Sequence, residues 1–273
     1  MIDLHSHTDQ SDGTYSPAQL IEEARRVGVR TLAITDHDTL TGYDQAVPHA
    51  RDAGVELLCG IEVSTKLNGQ PAHLLGYFLE NGDLAEFRQW LLEMQISRRD
   101  RNLRLVARLH ELGIDITLEE AQARGHGVTG RPHFAQILVE KGYVVNVQQA
   151  FDEFLGESAK GYVDRREPRF AEGVERIRQA GGIASLAHPI RLKGDFPAML
   201  PALRDCGLNA IEAYHSDHSP GDTEDFLVLA ARYDLRVTGG SDFHGAIKPG
   251  LELGTGRGGN LRIPEDLAER LRA

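Results

Sequence analysis

Cysteine is nearly absent from this chain of 273 residues: Cys59 and Cys206 lie far apart and form no CxxC pair. That excludes a disulfide framework and a thiolate zinc site, and it suits a reduced compartment. Long apolar runs are missing too, and no basic and then apolar leader precedes Asp3. The expectation is therefore a cytoplasmic protein with no membrane partner. Positive charge is short, with 30 Lys and Arg against 41 Asp and Glu and a formal charge of −11. Such a balance opposes tracking along long nucleic acid by phosphate neutralisation. Two nucleophile signatures fail as well, since neither cysteine begins a CxxxxxR loop and no GxSxG elbow occurs. The stretch GTGRGG at 254–259 lacks the phosphate-loop spacing GxxxxGK[ST] and reads as a turn.

What the chain does contain is an alternation of short apolar runs and amphipathic helical patterns. SPAQLIEEARRVG has Ser16 to cap a helix, Pro17 in its first turn and Gly28 to stop it. TLAITDHD, a helix around 43–53, ELLCGIEVS and AHLLGYF follow. The rhythm resumes after about residue 162 with helices at 171–180, 197–206 and 223–233, separated by GIASLAHP, LNAIEAYH and LRVTGGSDFH. Repeated βα units of this kind predict a parallel sheet or barrel, and barrels of this length commonly form one domain.

Residues 83–160 break the rhythm with four helical stretches and no strand: one around 84–112, TLEEAQA with a capping box from Thr117 to Glu120, RPHFAQILVEKG, and VQQAFDEFLG. The expectation is a barrel formed by residues 1–82 and 161–273, with 83–160 as a helical insertion over its mouth. Within SRRDRNLRLVAR, Leu103, Val106 and Leu109 at helical spacing predict an amphipathic helix with a solvated basic face.

Histidines and carboxylates recur where the strands end. The opening IDLHSHTDQSDG alternates so that His5 and His7 share one side of the first strand. Asp12 follows, then Asp36, His37 and Asp38 after the second strand, Glu62 in or after the third, and then His73, His188, His215, Asp242 and His244. In a parallel α/β barrel all such ends face one mouth, so residues distant in sequence become neighbours. Imidazole and carboxylate without thiolate point to a polynuclear metal site that suits Mn, Fe or Zn better than a purely oxygen-bound Ca or Mg site. Asp9 reads as a turn residue, and Asp36 or Asp38 as a partner orienting an imidazole.

The motifs HSH at 5–7, SDG at 11–13, TDHD at 35–38, GIE at 60–62, His73, AHP at 187–189 and SDFH at 241–244 resemble those of the PHP family, the polymerase and histidinol phosphatase metallohydrolases. The resemblance implies a distorted (β/α)7 barrel with two or three divalent metal ions, Mn first, with Zn and Fe as alternatives. It also implies one metal on His5, His7, Glu62 and Asp242, a second on His73 and His188 bridged by Glu62, and a third on Asp12, His37 and His244. Some members carry histidine where this chain has Asp12. TGRPHFAQILVEKG at 129–142, GYV at 161–163 and HPIR at 188–191 further resemble a subgroup of nucleoside 3′,5′-bisphosphate phosphatases, whose relatives include enzymes that trim very short RNA from the 5′ end.

Hydrolysis by metal-bound hydroxide needs no protein nucleophile, and the ions neutralise the phosphoryl oxygens. A second phosphate needs donors of its own, for which Arg131, His133, Lys160 and Arg191 are the candidates. His215 or His218 would supply a proton to the leaving oxygen. The expected substrate is thus a small phosphorylated nucleotide, with very short RNA as a further class. The alternatives are histidinol phosphate and a non-catalytic barrel module, against which the complete ligand set argues.

Overall fold

The computed structural model describes residues 1–79 and 82–272. Seven strands form one sheet in sequence order: β1 (Ile2–Asp3), β2 (Thr31–Ile34), β3 (Glu56–Leu67), β4 (Gln70–Phe78), β5 (Ile183–Leu186), β6 (Ala210–His215) and β7 (Arg236–Gly240). The sheet curls until its edges meet. Leu4 N–H donates to Gly239 O at 3.1 Å, Asp242 N–H to His5 O at 2.9 Å and His7 N–H to Phe243 O at 2.8 Å, which nearly closes a barrel.

Helices wrap the outside. α1 (Pro17–Val27) begins at Ser16, whose Oγ accepts from Gln19 N–H while Gln19 Oε1 accepts from Ser16 N–H, and it ends at Gly28 with φ of 84°. This reciprocal cap satisfies two otherwise orphaned donors. α2 (Thr41–Ala53) precedes β3; α7 (Phe170–Gln179), α8 (Phe196–Asp205) and α9 (Pro220–Arg232) precede β5, β6 and β7. Two further short strands, β8 (Leu251–Glu252) and β9 (Gly256–Arg257), pair with each other after β7, so GTGRGG forms part of a hairpin.

One strand departs from the parallel pattern. β4 runs antiparallel to both β3 and β5. Its cause is a tight hairpin at Asn68 and Gly69, with φ of 50° and 80°, the pair of positive φ values that a two-residue turn demands and Asn-Gly supplies. His73 consequently reaches the mouth from the beginning of its strand rather than the end.

Between β4 and α7 lie α3 (Ala85–Glu111), α4 (Leu118–Gln122), α5 (Arg131–Glu140) and α6 (Val147–Ala150), the last running into a wider turn at Phe151–Leu155. Leu105, Leu109, Ile116, Phe134, Leu138 and Leu155 form a core of their own, apart from the barrel clusters. α3 spans both regions, because Phe87, Trp90, Leu91 and Met94 pack into the barrel core. Its buried stripe then continues through Arg98, Arg101, Asn102, Leu105 and Leu109, while Leu103 is exposed. The predicted solvated basic face is therefore corrected: two of the arginines point inward.

We propose that the insertion loosens as a unit separate from the barrel. Phe134→Ala should cost about 3–5 kcal/mol locally. Amide exchange should accelerate across 105–155 while β2, β3 and β5 keep their protection; uniform loss would show a single cooperative core.

Candidate metal centre

Glu62 is the hub of the mouth, on β3 and 1% exposed. Its two oxygens divide five histidines between them. Oε1 meets His73 Nδ1 at 2.8 Å and His188 Nε2 at 3.0 Å. Oε2 meets His5 Nε2 at 3.2 Å, His7 Nε2 at 3.1 Å and His37 Nδ1 at 3.4 Å. A carboxylate with imidazoles on both oxygens has the disposition needed to bridge two cations.

Around this hub the structure gathers ligand atoms into overlapping groups. His5, His7, Glu62 and Asp242 form one, and Asp12, His37 and His244 form another together with His7. Glu62 and His73 group with His37, while His188 approaches the same carboxylate from the other side. Asp12 faces His244 Nε2 at 3.2 Å and His37 Nε2 at 3.7 Å. All nine ligands expected from the sequence thus meet at one mouth.

The donor set suits metal ions. His7 Nε2, His37 Nδ1 and His215 Nε2 are buried and have no hydrogen-bond partner, although carboxylate oxygens lie nearby. Buried ring nitrogens left unpaired are costly unless something else takes their lone pairs. Burial pushes His37 down to about 4, and burial with Arg191 pushes His188 down to about 3. Both rings are therefore neutral near pH 7, the form that ligates. Burial opposes charge on His7, yet Asp242 and Glu62 hold it up to about 9.

Glu212, which the sequence reading passed over, anchors two of these ligands. His5 Nδ1–H donates to Glu212 Oε1 at 2.8 Å and His188 N–H to Glu212 Oε2 at 2.7 Å. Holding the His5 proton on Nδ1 leaves Nε2 free to face Glu62 and Asp242. Burial would raise the Glu212 carboxyl, but His5 and His215 hold it at about 2. The signal was present: Glu212 is a lone charge inside the apolar run LNAIEAYH.

Asp36 and Asp38 support loops rather than rings. Asp36 accepts from Thr8 N–H at 2.7 Å and from the Thr8 and Ser11 hydroxyls at 2.6 Å each, pinning the loop that carries Asp12. Asp38 accepts from Ser64 N–H at 2.8 Å and pairs with Arg98 and Arg165. Burial opposes that charge, but the two guanidinium groups bring the carboxyl down to about 2. Asp9 ties the insertion to the barrel, receiving His126 Nδ1 at 2.9 Å on its carboxylate and His126 N–H on its carbonyl at 2.8 Å.

Asp38, His188 and Asp242 have φ of 56°, 29° and 59°. Non-glycine residues seldom adopt such values, and the strain must be held by their surroundings.

A cavity of 180 Å³ adjoins the hub, lined among others by Asp12, His37, His73, Arg101, Arg131 and Phe151. Arg131 donates to Leu155 O at 3.1 Å and lies over the Tyr162 ring. His133 does not line it. The His133 ring instead accepts from Gly130 N–H at 2.9 Å and caps α5. Lys160 does not reach it either, lying over Phe154 and near Glu153. Of the two proton-donor candidates, His215 faces Asp242 Oδ2 at 3.5 Å, whereas His218 Nδ1–H donates to Ala213 O and its ring packs on Phe226.

A barrel whose mouth converges imidazoles and carboxylates on one buried Glu has the ligand clusters of a barrel built for several divalent metals. The chain is a member of the PHP family: the PHP domain matches residues 3–215. Asp242 and His244 lie beyond that match. The chain is 32% identical over 89% of its length to a 5′-3′ exoribonuclease of Haemophilus influenzae, covering 89% of it. It is 35% identical to a phosphoribosyl 1,2-cyclic phosphate 1,2-diphosphodiesterase of Eggerthella lenta, over 89% and 94% of the two chains. A 3′,5′-nucleoside bisphosphate phosphatase of Chromobacterium violaceum is 30% identical, over 93% and 90%. The crystal structure of a Bifidobacterium adolescentis protein, described as a metal-dependent phosphoesterase, superposes with a TM-score of 0.85 at 32% identity, over 98% and 94%.

Gly240 lets β7 approach the end of β1 that carries His5. A Cβ there would lie 2.2 Å from His5 N and 2.3 Å from His5 Cβ. Gly240→Ala should lower stability by about 1–3 kcal/mol or more through overpacking and reduce bound metal. Gly221→Ala, whose Cβ would sit 3.7 Å from Ser219 Oγ, should do neither; the check is thermal unfolding with metal analysis of both variants.

Proposed function

We propose that the protein is a metal-dependent phosphatase that removes the 3′-phosphate of nucleoside 3′,5′-bisphosphates, leaving the 5′-nucleotide, with very short RNA as a second substrate trimmed from its 5′ end. The observation that carries this reading is the uncompensated positive charge beside the hub. Arg98 and Arg165 are engaged by Asp38, and Arg165 also by Glu167. Arg101 and Arg131 pair with no carboxylate among the described residues, although Arg101 is buried and its Nε has no partner. Burial, together with Arg98, Arg131 and Arg165, pushes the Arg101 guanidinium well below its usual range. A buried arginine in that state favours an anion, which fork-shaped guanidinium groups bind in two-point fashion.

Two anion positions then lie side by side, one at the histidines and one at Arg101 and Arg131. A bisphosphate fills both, and Phe151, which lines the same cavity, supplies an aromatic ring for a base. Histidinol phosphate would leave the second without an anion. The relatives named for an exoribonuclease and a 3′,5′-bisphosphate phosphatase support a nucleotide substrate.

His5, His7, Asp12, His37, Glu62, His73, His188, Asp242 and His244 would hold two or three divalent ions, Mn first. Such ions lower the pKa of bound water and neutralise phosphoryl oxygens during in-line displacement. This chain's own contribution is positional. Glu212 fixes the His5 ring and the His188 backbone, Asp36 fixes the loop of Asp12, and Arg101 with Arg131 orients the phosphate that stays. His215 is the proton donor placed at the mouth.

The test is phosphate release by Mn-reconstituted protein from adenosine 3′,5′-bisphosphate, beside 5′-AMP, 3′-AMP, histidinol phosphate and phosphoribosyl 1,2-cyclic phosphate. Selective conversion of the bisphosphate to 5′-AMP is expected, and preference for either of the last two substrates would overturn the reading. His5→Ala and Asp242→Ala should lose metal and turnover together. Arg131→Ala should lower kcat/KM for the bisphosphate about 10–100-fold, the loss of one charged hydrogen bond, while hydrolysis of 3′-AMP changes little.

A further inference from the structure

The two oxygens of Asp242 face different surroundings. Oδ1 looks into the mouth, 3.4 Å from both His5 Nε2 and His7 Nε2. Oδ2 lies 3.5 Å from His215 Nε2 and also receives Lys248 Nζ at 2.7 Å and Arg191 Nη2 at 3.0 Å. Two cations on one oxygen exceed what is needed to hold it.

Arg191 is already braced from its other side by Asp217, at 2.5 and 3.2 Å, and Asp217 also has Arg257 at 3.9 Å. Lys248 has no such brace. Among the described residues its ammonium donates only to Asp242, through Oδ2 and through the carbonyl at 3.4 Å. Local charges make the same point, since Arg191, Lys248 and Arg257 face only Asp217 and Asp242 among their ion-pair partners. One positive charge is left over at the edge of the mouth.

Lys248 follows the short turn Gly245–Ile247 and stands at the rim, with a side chain 28% exposed. A lysine is a compact charge on a flexible stem with three donors, able to exchange one oxygen partner for another at little steric cost. The sequence reading did not single it out.

We propose that Lys248 is a substrate-contacting residue that grips the phosphoryl group being cleaved, with Arg191 held beside it by Asp217. The proposal rests on the phosphatase reading above. Asp242 parks the ammonium next to the position where phosphoryl oxygens gather, and an incoming phosphate, carrying more negative charge than one carboxylate oxygen, draws it across. Lys248 would then stabilise charge on the non-bridging oxygens, a contribution that grows as the bond to the leaving oxygen breaks.

The experiment compares wild type, Lys248→Met and Lys248→Arg, each reconstituted with Mn. Metal content is measured by elemental analysis, inorganic phosphate binding by calorimetry, and kcat and KM on the bisphosphate. Lys248→Met should keep its metal, bind phosphate about 10–100-fold more weakly and lose kcat by on the order of 100-fold. Lys248→Arg should recover part of both. Unchanged phosphate affinity and kcat in Lys248→Met would overturn the proposal. Loss of metal in that variant would also overturn it, assigning Lys248 to holding Asp242. If metal-loaded wild type itself bound no phosphate, the phosphatase reading would fall and take the proposal with it, a result distinguishable from a defect confined to the variants.

Discussion

A carboxylate buried inside a barrel is tolerable only when its charge is answered. Glu62 is answered by five imidazoles from four strand ends and one loop, and much of the mouth's architecture follows from bringing those rings to two oxygen atoms. An isolated buried carboxylate would take up a proton instead. Here Glu62, Asp12 and Asp242 are all held well below the usual carboxylate range against the opposing effect of burial. The same arrangement prepares the mouth for cations, which would replace protons as the source of positive charge. It also explains the tolerance of three strained residues at Asp38, His188 and Asp242, each clamped by hydrogen bonds to its neighbours.

The reversed strand β4 serves that convergence. A parallel strand after β3 would need a crossover of a dozen or more residues, whereas the Asn68-Gly69 turn returns the chain at once. Pairing in register places His73 opposite Ser64, two residues past Glu62. The extended hairpin also rises above the mouth, where Lys66 N–H bonds to Pro168 O and Ser64 binds Arg98. One short turn thereby supplies a ligand and a wall on which the insertion can rest.

The barrel and its ligands were legible because strand ends are a fixed place in a barrel, and His or Asp after an apolar run is conspicuous there. Orientation of β4 was legible too, in the Asn-Gly pair, but the apolar run AHLLGYF alone carries no direction. Glu212 escaped because it lies inside a strand and, unlike Glu62 in GIE, in no motif that marked it out. The inward arginines escaped for a subtler reason. On α3 the stripe Leu103, Val106, Leu109 and the stripe Arg98, Arg101, Leu105 differ by a modest rotation, and hydrophobicity favours the first. What decides is the acidic Asp38 facing the helix, together with Glu167 beside Arg165, and those partners are remote in sequence. His133 and Lys160 were near the right place along the chain, but one ring turned back to cap its helix and one ammonium turned out over Phe154.

The overall charge of −11 and the basic cavity are reconciled by where each sign sits. Paired exposed acids such as Glu22 and Glu140 have arginines beside them, and such surface pairs contribute little energy. At the mouth, by contrast, carboxylates are committed to histidines and to the ions they would hold, so they cannot also neutralise the arginines of the insertion. The cavity therefore keeps positive charge, because Asp38 and Glu167 engage Arg98 and Arg165 and leave Arg101 and Arg131 without a carboxylate among the described residues. Electrostatics of this kind favour a compact, multiply charged anion that can touch both walls at once over a long polyanion that must also cross the acidic surface.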